Sequence, residues 1–457
     1  MDIKPFKAYR FNSAVVGDAG LCIAPPYDVI DAPLQEQLYQ RHPFNIVRAI
    51  RGKAAPGDDA HNNVYTRAQE YLQKAIAQGA LVQDQSPSLY AYVQDFRIEA
   101  QAYQRSGIIA LGKIEPFGKG VRAHEKTLEG PKADRLNLTR ATAAQFGQIF
   151  MLYDDPENTD RQLFDAARTS PPVLDTTDSE DVRHRIYRIS DAALIGLFTR
   201  AMADKQTIIA DGHHRYETAL NYWQQTGHEE AQYLMMTFVN TRHPGLVIQP
   251  THRLIVNLDG FDVNALLKDL ASDFQVETFA FETPEQKHSA RTAMFERMVR
   301  RHQDARSIFG LYAGGKAFYT VMLNSAEAMG QVAGQAGYAA RGLDVNVLHW
   351  LILDKHLGIC DKKLAAQSHL EYIKDMGNAI DHCVDRIDAG TAEAVFFVNP
   401  PRIEQVQDIA AVGEKMPQKS TFFYPKVYSG ITINKLPIEP IQPHIANPTP
   451  FRSTDND

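Results

Sequence analysis

Apolar positions fall into two spacings along this chain, and the switch between them marks out the elements. Short apolar runs, or apolar residues alternating with polar ones, predict strands; apolar residues recurring every three or four positions predict helices. "SLYAYVQDFRI" and "AYQRSGIIALGKIEPF" predict the two strands of a hairpin, and "RHRIYRI", "AQYLMMTFVN" and "PGLVIQPTHRLIVNL" predict further strands. Asp58 to Gly79 reads as a helix that stops at its glycine, and "DAALIGLFTRAMAD" as a helix capped by Asp191. "LCIAPPYDVID" predicts a short strand broken by Pro25 and Pro26, and "FNIVRAIRG" another strand. After Asp259 a fresh alternation begins, with helices in "FDVNALLKDLASDF" and near Arg291–Arg301 and strands in "QVETFAF", "SIFGLY" and "AFYTVML". A strongly apolar helix, "VNVLHWLILDKHLG", and a strand, "AEAVFFVNP", follow. The pattern predicts a mixed α/β (α+β) protein without internal repeats. It divides into a first domain at 1–256, a second α/β domain at 257–436 and a loosely packed Pro-rich tail at 437–457.

Composition narrows the class. The chain has 457 residues, 44% of them apolar, enough for a sizeable core in two or three domains. A formal charge of −7 argues against a general nucleic-acid or anionic-membrane binder, and no helix-turn-helix pattern stands out. Cys22, Cys360 and Cys383 lie far apart, which indicates neither a disulfide framework nor a cysteine zinc site. No apolar run approaches the roughly 18 residues of a membrane helix, and no apolar stretch follows the first charges as in a signal peptide. The expectation is a cytoplasmic protein without a membrane partner.

One stretch concentrates chemistry: "KQTIIADGHHRYETALNYWQQTG", Lys205–Gly227. A strand, a tight glycine turn and a helix start together make an anion site, because the first turn has N–H groups without intrahelical partners and the positive end of the dipole. Gly212 allows close backbone approach, and His213, His214 and Arg215 add donors, Arg with a bidentate grip on phosphate. Asp211, an acceptor only, suits a metal ion, a substrate ammonium or a hydroxyl proton. The plainer alternative is a helix capped by Asp211 with surface histidines.

"RAHEKTLEGPKADR", Arg122–Arg135, is the second candidate. Between Lys113 and Arg140 seven Lys/Arg face four Asp/Glu, a local excess of three positive charges. Glu125 could act as a general base, with His124, Lys126, Lys132 and Arg135 around a polyphosphate; a solvated charged loop is the alternative. In "APPYDVID", Tyr27 would face substrate and Asp28 could ligate a metal or orient a hydroxyl; an ordinary Pro-Tyr-Asp turn competes. Thr251, His252 and Arg253 flank an apolar strand and could line the same cleft as Asp211–Arg215 in contact with substrate. "GLYAGGKA", Gly310–Ala317, nearly fits a P-loop but ends in Ala317, which has no hydroxyl for magnesium, and Gly314-Gly315 is a hairpin signal. "EKMPQKSTFFYPKVYSG", with Lys415, Lys419, Ser420, Thr421 and Lys426, reads as a structural strand and turn.

"PFKAYR", "APPYDVI", "HEKTLEGPKADRL", "IADGHHRYETAL", "LVIQPTHRL", "LDVNVLHWLIL" and "GEKMPQKSTFFYPK" together resemble the bacterial and archaeal family called domain of unknown function 1015. Within it, Asp211-Gly212-His213-His214-Arg215, with Ala219 beyond, is similar to the phosphate-binding box of the ParB and sulfiredoxin superfamily, and its wording to the free-serine kinases there. That resemblance implies a ParB/sulfiredoxin-like core in the N-terminal half. It also implies a nucleotide (ATP or ADP) with magnesium, phosphates on His213, His214 and Arg215, and Asp211 near metal or substrate. The catalytic acid does not carry over; Glu125 and Asp28 are candidates from local chemistry. The expected function is a phosphotransferase moving a phosphoryl group from a nucleotide to the hydroxyl of a small metabolite, with L-serine first. One rival is a metal-dependent phosphatase or hydrolase, in which His213, His214, His124 and His252 bind a transition metal. The other is a nucleotide-binding regulator without turnover.

Overall fold

The computed structural model describes residues 1–441 except 126, 128, 333, 335, 366, 367 and 418, so most of the expected tail lies outside the described residues. The chain divides into two compact units. One comprises residues 1–123, 127–247 and 425 onward; the other comprises 124–126 and 248–424. Among the described residues no helix is long and apolar enough to cross a membrane.

The first unit is built on a nine-stranded mixed sheet. Its strands are β1 (Ile3–Lys4), β2 (Leu89–Ile98), β3 (Gln101–Lys113), β4 (Val121–Ala123), β5 (Ile149–Tyr153), β6 (Leu174–Thr177), β7 (Arg183–Ile189), β8 (Thr207–Asp211) and β9 (Tyr233–Asn240). They pair in the order β4-β8-β5-β9-β3-β2-β7-β6, with β1 also on β3. The expected hairpin is the antiparallel β2–β3 pair. Alternation sorts its side chains: Leu89, Ala91 and Val93 enter the apolar core with Ile108, Met236 and Phe238, while Tyr90, Tyr92 and Gln94 bury polar atoms on the other face. Helices α1 (Val64–Ala77), α2 (Glu129–Thr142), α3 (Ala192–Met202) and α4 (His213–Thr226) belong to this unit. Asp191 caps α3 as expected, accepting from Leu194 N at 2.9 Å.

The segment from Pro425 is tied into the first unit by its backbone. Pro425 O accepts from Arg105, and Lys426 O accepts from Gln94 Nε2 at 3.0 Å. Ser429 exchanges two hydrogen bonds with Ala24, and Asn434–Lys435 pairs antiparallel with Ala144–Gln145. Arg105 is fully buried, stacked 4.6 Å from the Phe150 ring, and burial pulls its guanidinium down to about 10.

The second unit carries a six-stranded sheet of β10 (Thr251–Ile255), β11 (Phe274–Ala280), β12 (Ile308–Tyr312), β13 (Ala317–Leu323), β14 (Leu370–Lys374) and β15 (Ala394–Phe397), ordered β11-β13-β12-β15-β10-β14. Both faces are covered. Val395 and Phe397 pack with Met294 and Met298 of α5 (Pro284–Gln303), and Ala394 and Phe396 with Leu348 and Ile352 on the opposite face. "GLYAGGKA" is a hairpin turn: β12 and β13 pair antiparallel, and Gly314 and Gly315 take φ of +78° and +71°. Two expectations change. "FNIVRAIRG" forms a helical turn over Val47–Ile50, with Ile46 at its N-cap; the Asn45 side chain before it accepts from Val47 N at 2.9 Å and donates to Leu21 O and Ile23 O. "LCIAPPYDVID" forms two 3-10 turns, Ala19–Cys22 and Tyr27–Val29, the first capped by Asp18.

Candidate functional site

The opening motif folds as a strand–glycine–helix corner. Ile209 and Ala210 are buried in β8, Gly212 turns the chain, and α4 begins at His213. Gly212 has φ +98°, a region where side chains are strained, and an added Cβ would lie 2.9 Å from Arg215 Nη2 and 3.0 Å from Ile149 Cδ1. Gly212 is itself the N-cap and has no side chain with which to cap the first turn. Asp211 therefore does not cap the helix, as the plainer sequence reading had it. Its Oδ2 accepts from Arg215 Nη2 at 3.0 Å and its Oδ1 from Lys426 Nζ at 2.6 Å. Burial pushes the Asp211 carboxyl up, but Lys426, Arg215 and His213 outweigh it and hold the group well below the usual carboxylate range. Arg215 also donates to Gln148 O at 2.7 Å, and His213 is buried. The corner thus gathers two cations, a buried histidine and a helix start with glycine at its N-cap around one carboxylate, an arrangement able to hold a multiply charged anion.

Three residues distant in sequence meet beside this corner. Tyr27, Arg135 and Arg215 line one cavity of about 70 Å³. Arg135 stacks 4.0 Å from the Tyr27 ring centre, donates to Ile50 O at 2.8 Å and forks onto Asp134, which also accepts from Tyr65 Oη at 2.9 Å. Burial, with Asp28 nearby, pushes the Tyr27 hydroxyl up to about 12 against the pull of Arg135 and Arg215. Asp28 follows Tyr27 and is exposed. Thr127 and the start of α2 are fastened to α4: Thr127 Oγ1 and Lys132 Nζ both donate to Glu217, at 2.9 and 3.1 Å, and Thr218 Oγ1 donates to Lys132 O at 3.3 Å. His214 O accepts from Thr218 Oγ1 at 2.7 Å.

The other candidates belong to the second unit. His124 is fully buried; its Nε2 lies 2.9 Å from Thr421 Oγ1, and its carbonyl accepts from Met416 N at 2.7 Å. Glu125 bridges Met416 in parallel register. Lys126 lies outside the described residues. Thr251, His252 and Arg253 are all buried in β10. Arg253 stacks 4.7 Å from the Tyr372 ring and donates to Thr251 O and Lys419 O, and burial lowers its pKa. His252 Nδ1 accepts from Val398 N at 3.3 Å, and its Nε2 lies 3.8 Å from Asp375. Among the described residues no group of three or more His, Cys, Asp or Glu could hold a metal ion.

Sequence reasoning passed over Lys426 and Glu217. Lys426 stood in "FFYPK", a stretch read as structural, yet it supplies the second cation at Asp211. The available signal was its place among the stretches that carried the family resemblance. Glu217 could be found by helical spacing from His213, since positions three and four apart share a face.

The family model described as "Protein of unknown function (DUF1015)" matches residues 3–346. No curated protein matches the chain. Among solved structures, a free serine kinase variant in complex with AMP is 12% identical, with a TM-score of 0.31 over 67% of this chain and 89% of that one. A conserved hypothetical protein from Pyrococcus furiosus is 14% identical, with a TM-score of 0.31 over 68% and 95%. C-terminally truncated SbnI from Staphylococcus aureus is 9% identical, with a TM-score of 0.32 over 70% and 84%. With its mixed α/β fold and a family match that spans most of its length, the chain belongs to the DUF1015 family of proteins of unknown function.

Proposed function

We propose that the protein is a phosphotransferase that moves a phosphoryl group from a nucleotide to the hydroxyl of a small metabolite, with L-serine as the first acceptor to try. The observation that carries this reading is the pairing of Lys426 and Arg215 on Asp211 at the start of α4. Phosphoryl transfer is mostly positioning and charge neutralisation. Asp211 keeps both cations charged and aimed while no phosphate is present. An entering phosphate takes their donors, together with the first-turn N–H groups and His213 and His214. Lys132 and Arg135, both on α2 packed beside α4, add positive charge. Asp28, adjacent to Tyr27 at the cavity, is the carboxylate proposed to take the acceptor's proton.

Both Asp211 oxygens are engaged by cations, a donor set that does not match a resident magnesium ion. In this reading magnesium arrives with ATP or ADP. Thermal-shift measurements with ATP and ADP on the parent and His213→Ala test the phosphate site. The parent should gain about 2.7 kcal/mol at a hundredfold excess over Kd and the variant far less. Absence of any shift in the parent across nucleotides and pyrophosphate would sink the reading. Transfer of labelled γ-phosphate from ATP to L-serine, compared between parent and Asp28→Asn, tests the acceptor and the base.

A further inference from the structure

Three neighbouring strands of the first unit set polar residues side by side in one row. In the register of β7, β2 and β3, His184 stands opposite Gln94 and Gln94 opposite Arg105. Residues directly opposite one another share a face of the sheet. All three are buried, with 0%, 2% and 2% of their surface exposed. Such a row is costly unless each polar group finds a partner, and each of these meets a different residue of the returning segment. Arg105 donates to Pro425 O, Gln94 Nε2 donates to Lys426 O at 3.0 Å, and the His184 ring packs 4.4 Å from the Tyr428 ring.

His184 is held at both ring nitrogens. Asp178 Oδ2 lies 2.9 Å from Nε2 and Tyr92 Oη 2.6 Å from Nδ1. Burial pushes the Asp178 carboxyl up, but His184 and the Tyr428 hydroxyl hold it below its usual range, so Asp178 accepts and Nε2 donates. Asp178 is itself fixed, accepting from Glu180 N at 2.8 Å and Val182 N at 3.0 Å. A ring fixed in this way fixes Tyr428, which packs on it with its hydroxyl beside Asp178. Lys426 stands between these anchors. The carbonyls gripped by Arg105 and Gln94 flank its Cα, Tyr428 lies two residues on, and its Nζ is on Asp211 at 2.6 Å. We propose that His184, Gln94 and Arg105 are positioning residues for Lys426: the row holds the backbone of 425–428 so that the Lys426 ammonium reaches the anion corner already oriented. His184 acts through Tyr428, the other two through the carbonyls on either side of Lys426. The effect on anions rests on the phosphate reading above; the positioning itself does not.

Calorimetric titration of full-length protein with inorganic pyrophosphate tests it, in a double-mutant cycle of His184→Ala and Lys426→Met. His184→Ala should weaken pyrophosphate about fivefold or more in the parent and by no more than about twofold in the Lys426→Met background. A merely structural role would weaken binding alike in both. Equal weakening in the two backgrounds, or none in the parent, overturns the positioning role and leaves the phosphate reading standing. If the parent binds no pyrophosphate, the phosphate reading fails, and urea denaturation of the same four proteins decides the positioning. The fall in urea midpoint caused by Lys426→Met should shrink to about half or less in the His184→Ala background, because a displaced Lys426 has less pairing to lose. Additive falls overturn the positioning role. Should His184→Ala fail to fold, Tyr428→Leu takes its place in both cycles with the same expectations.

Discussion

Replacing Asp211 by Asn removes the charge shared by Lys426 and Arg215 and keeps the side chain's shape. All three side chains are mostly buried, with 17%, 14% and 15% of their surface exposed, so solvent screens the interaction little. Removing one partner of a buried pair leaves an uncompensated charge and costs about 3–5 kcal/mol. Here both cations lose the Asp211 carboxylate, while Arg215 keeps its bond to Gln148 O, so the lower end, about 3 kcal/mol, is expected. Urea denaturation of parent and Asp211→Asn measures this, and Asp211→Asn/Lys426→Met should recover part of the loss. Anion binding should move the other way. Without Asp211 competing for the same donors, pyrophosphate should bind more tightly, by about tenfold if 1.4 kcal/mol of competition is removed. A variant within about 0.5 kcal/mol of the parent would refute the burial-and-pairing argument, and weaker pyrophosphate binding would refute the competition argument.

Gly212→Ala should cost about 1–3 kcal/mol, from its positive φ and the close approach of Arg215, and should weaken pyrophosphate in the same titration. The Asp211 carboxyl is held low in the folded protein, so its contribution is fully present above the unfolded pKa near 4 and is lost as pH falls through the folded value. Stability of the parent should therefore fall more steeply below about pH 4 than that of Asp211→Asn, read by urea midpoints across pH. Arg105→Met should destabilise by about 3 kcal/mol, because it leaves Gln94 Oε1 and Pro425 O without their buried donor, and it should weaken pyrophosphate through displacement of Lys426. Arg135→Lys loses the fork onto Asp134 and the stack on Tyr27, and should weaken pyrophosphate in the same titrations.

Much of the fold was legible because local chemistry and tertiary environment agree there. The β2–β3 hairpin, the Asp191 cap and the Gly314-Gly315 turn each follow from residues adjacent in sequence, and each is found where the pattern placed it. "FNIVRAIRG" misled because Asn45 spends its side chain on Leu21 O, Ile23 O and the start of a helical turn, bonds that no local pattern shows. Nor does the pattern show that the segment from Pro425 packs with the first unit, since that return depends on Arg105 and Gln94 donating to its carbonyls.

The sequence by itself determined the corner at Asp211–Arg215. An apolar strand, a glycine that must turn with positive φ and a helix start follow one another along the chain, so their geometry is local. Only the tertiary structure decided what surrounds that corner. Lys426 arrives at Asp211 across 215 positions, and Tyr27 and Arg135 reach the cavity of Arg215 from two other segments. The reason is physical: backbone conformation is set by near neighbours, whereas pairing a buried charge requires whichever cation the folded chain can bring within a few ångströms.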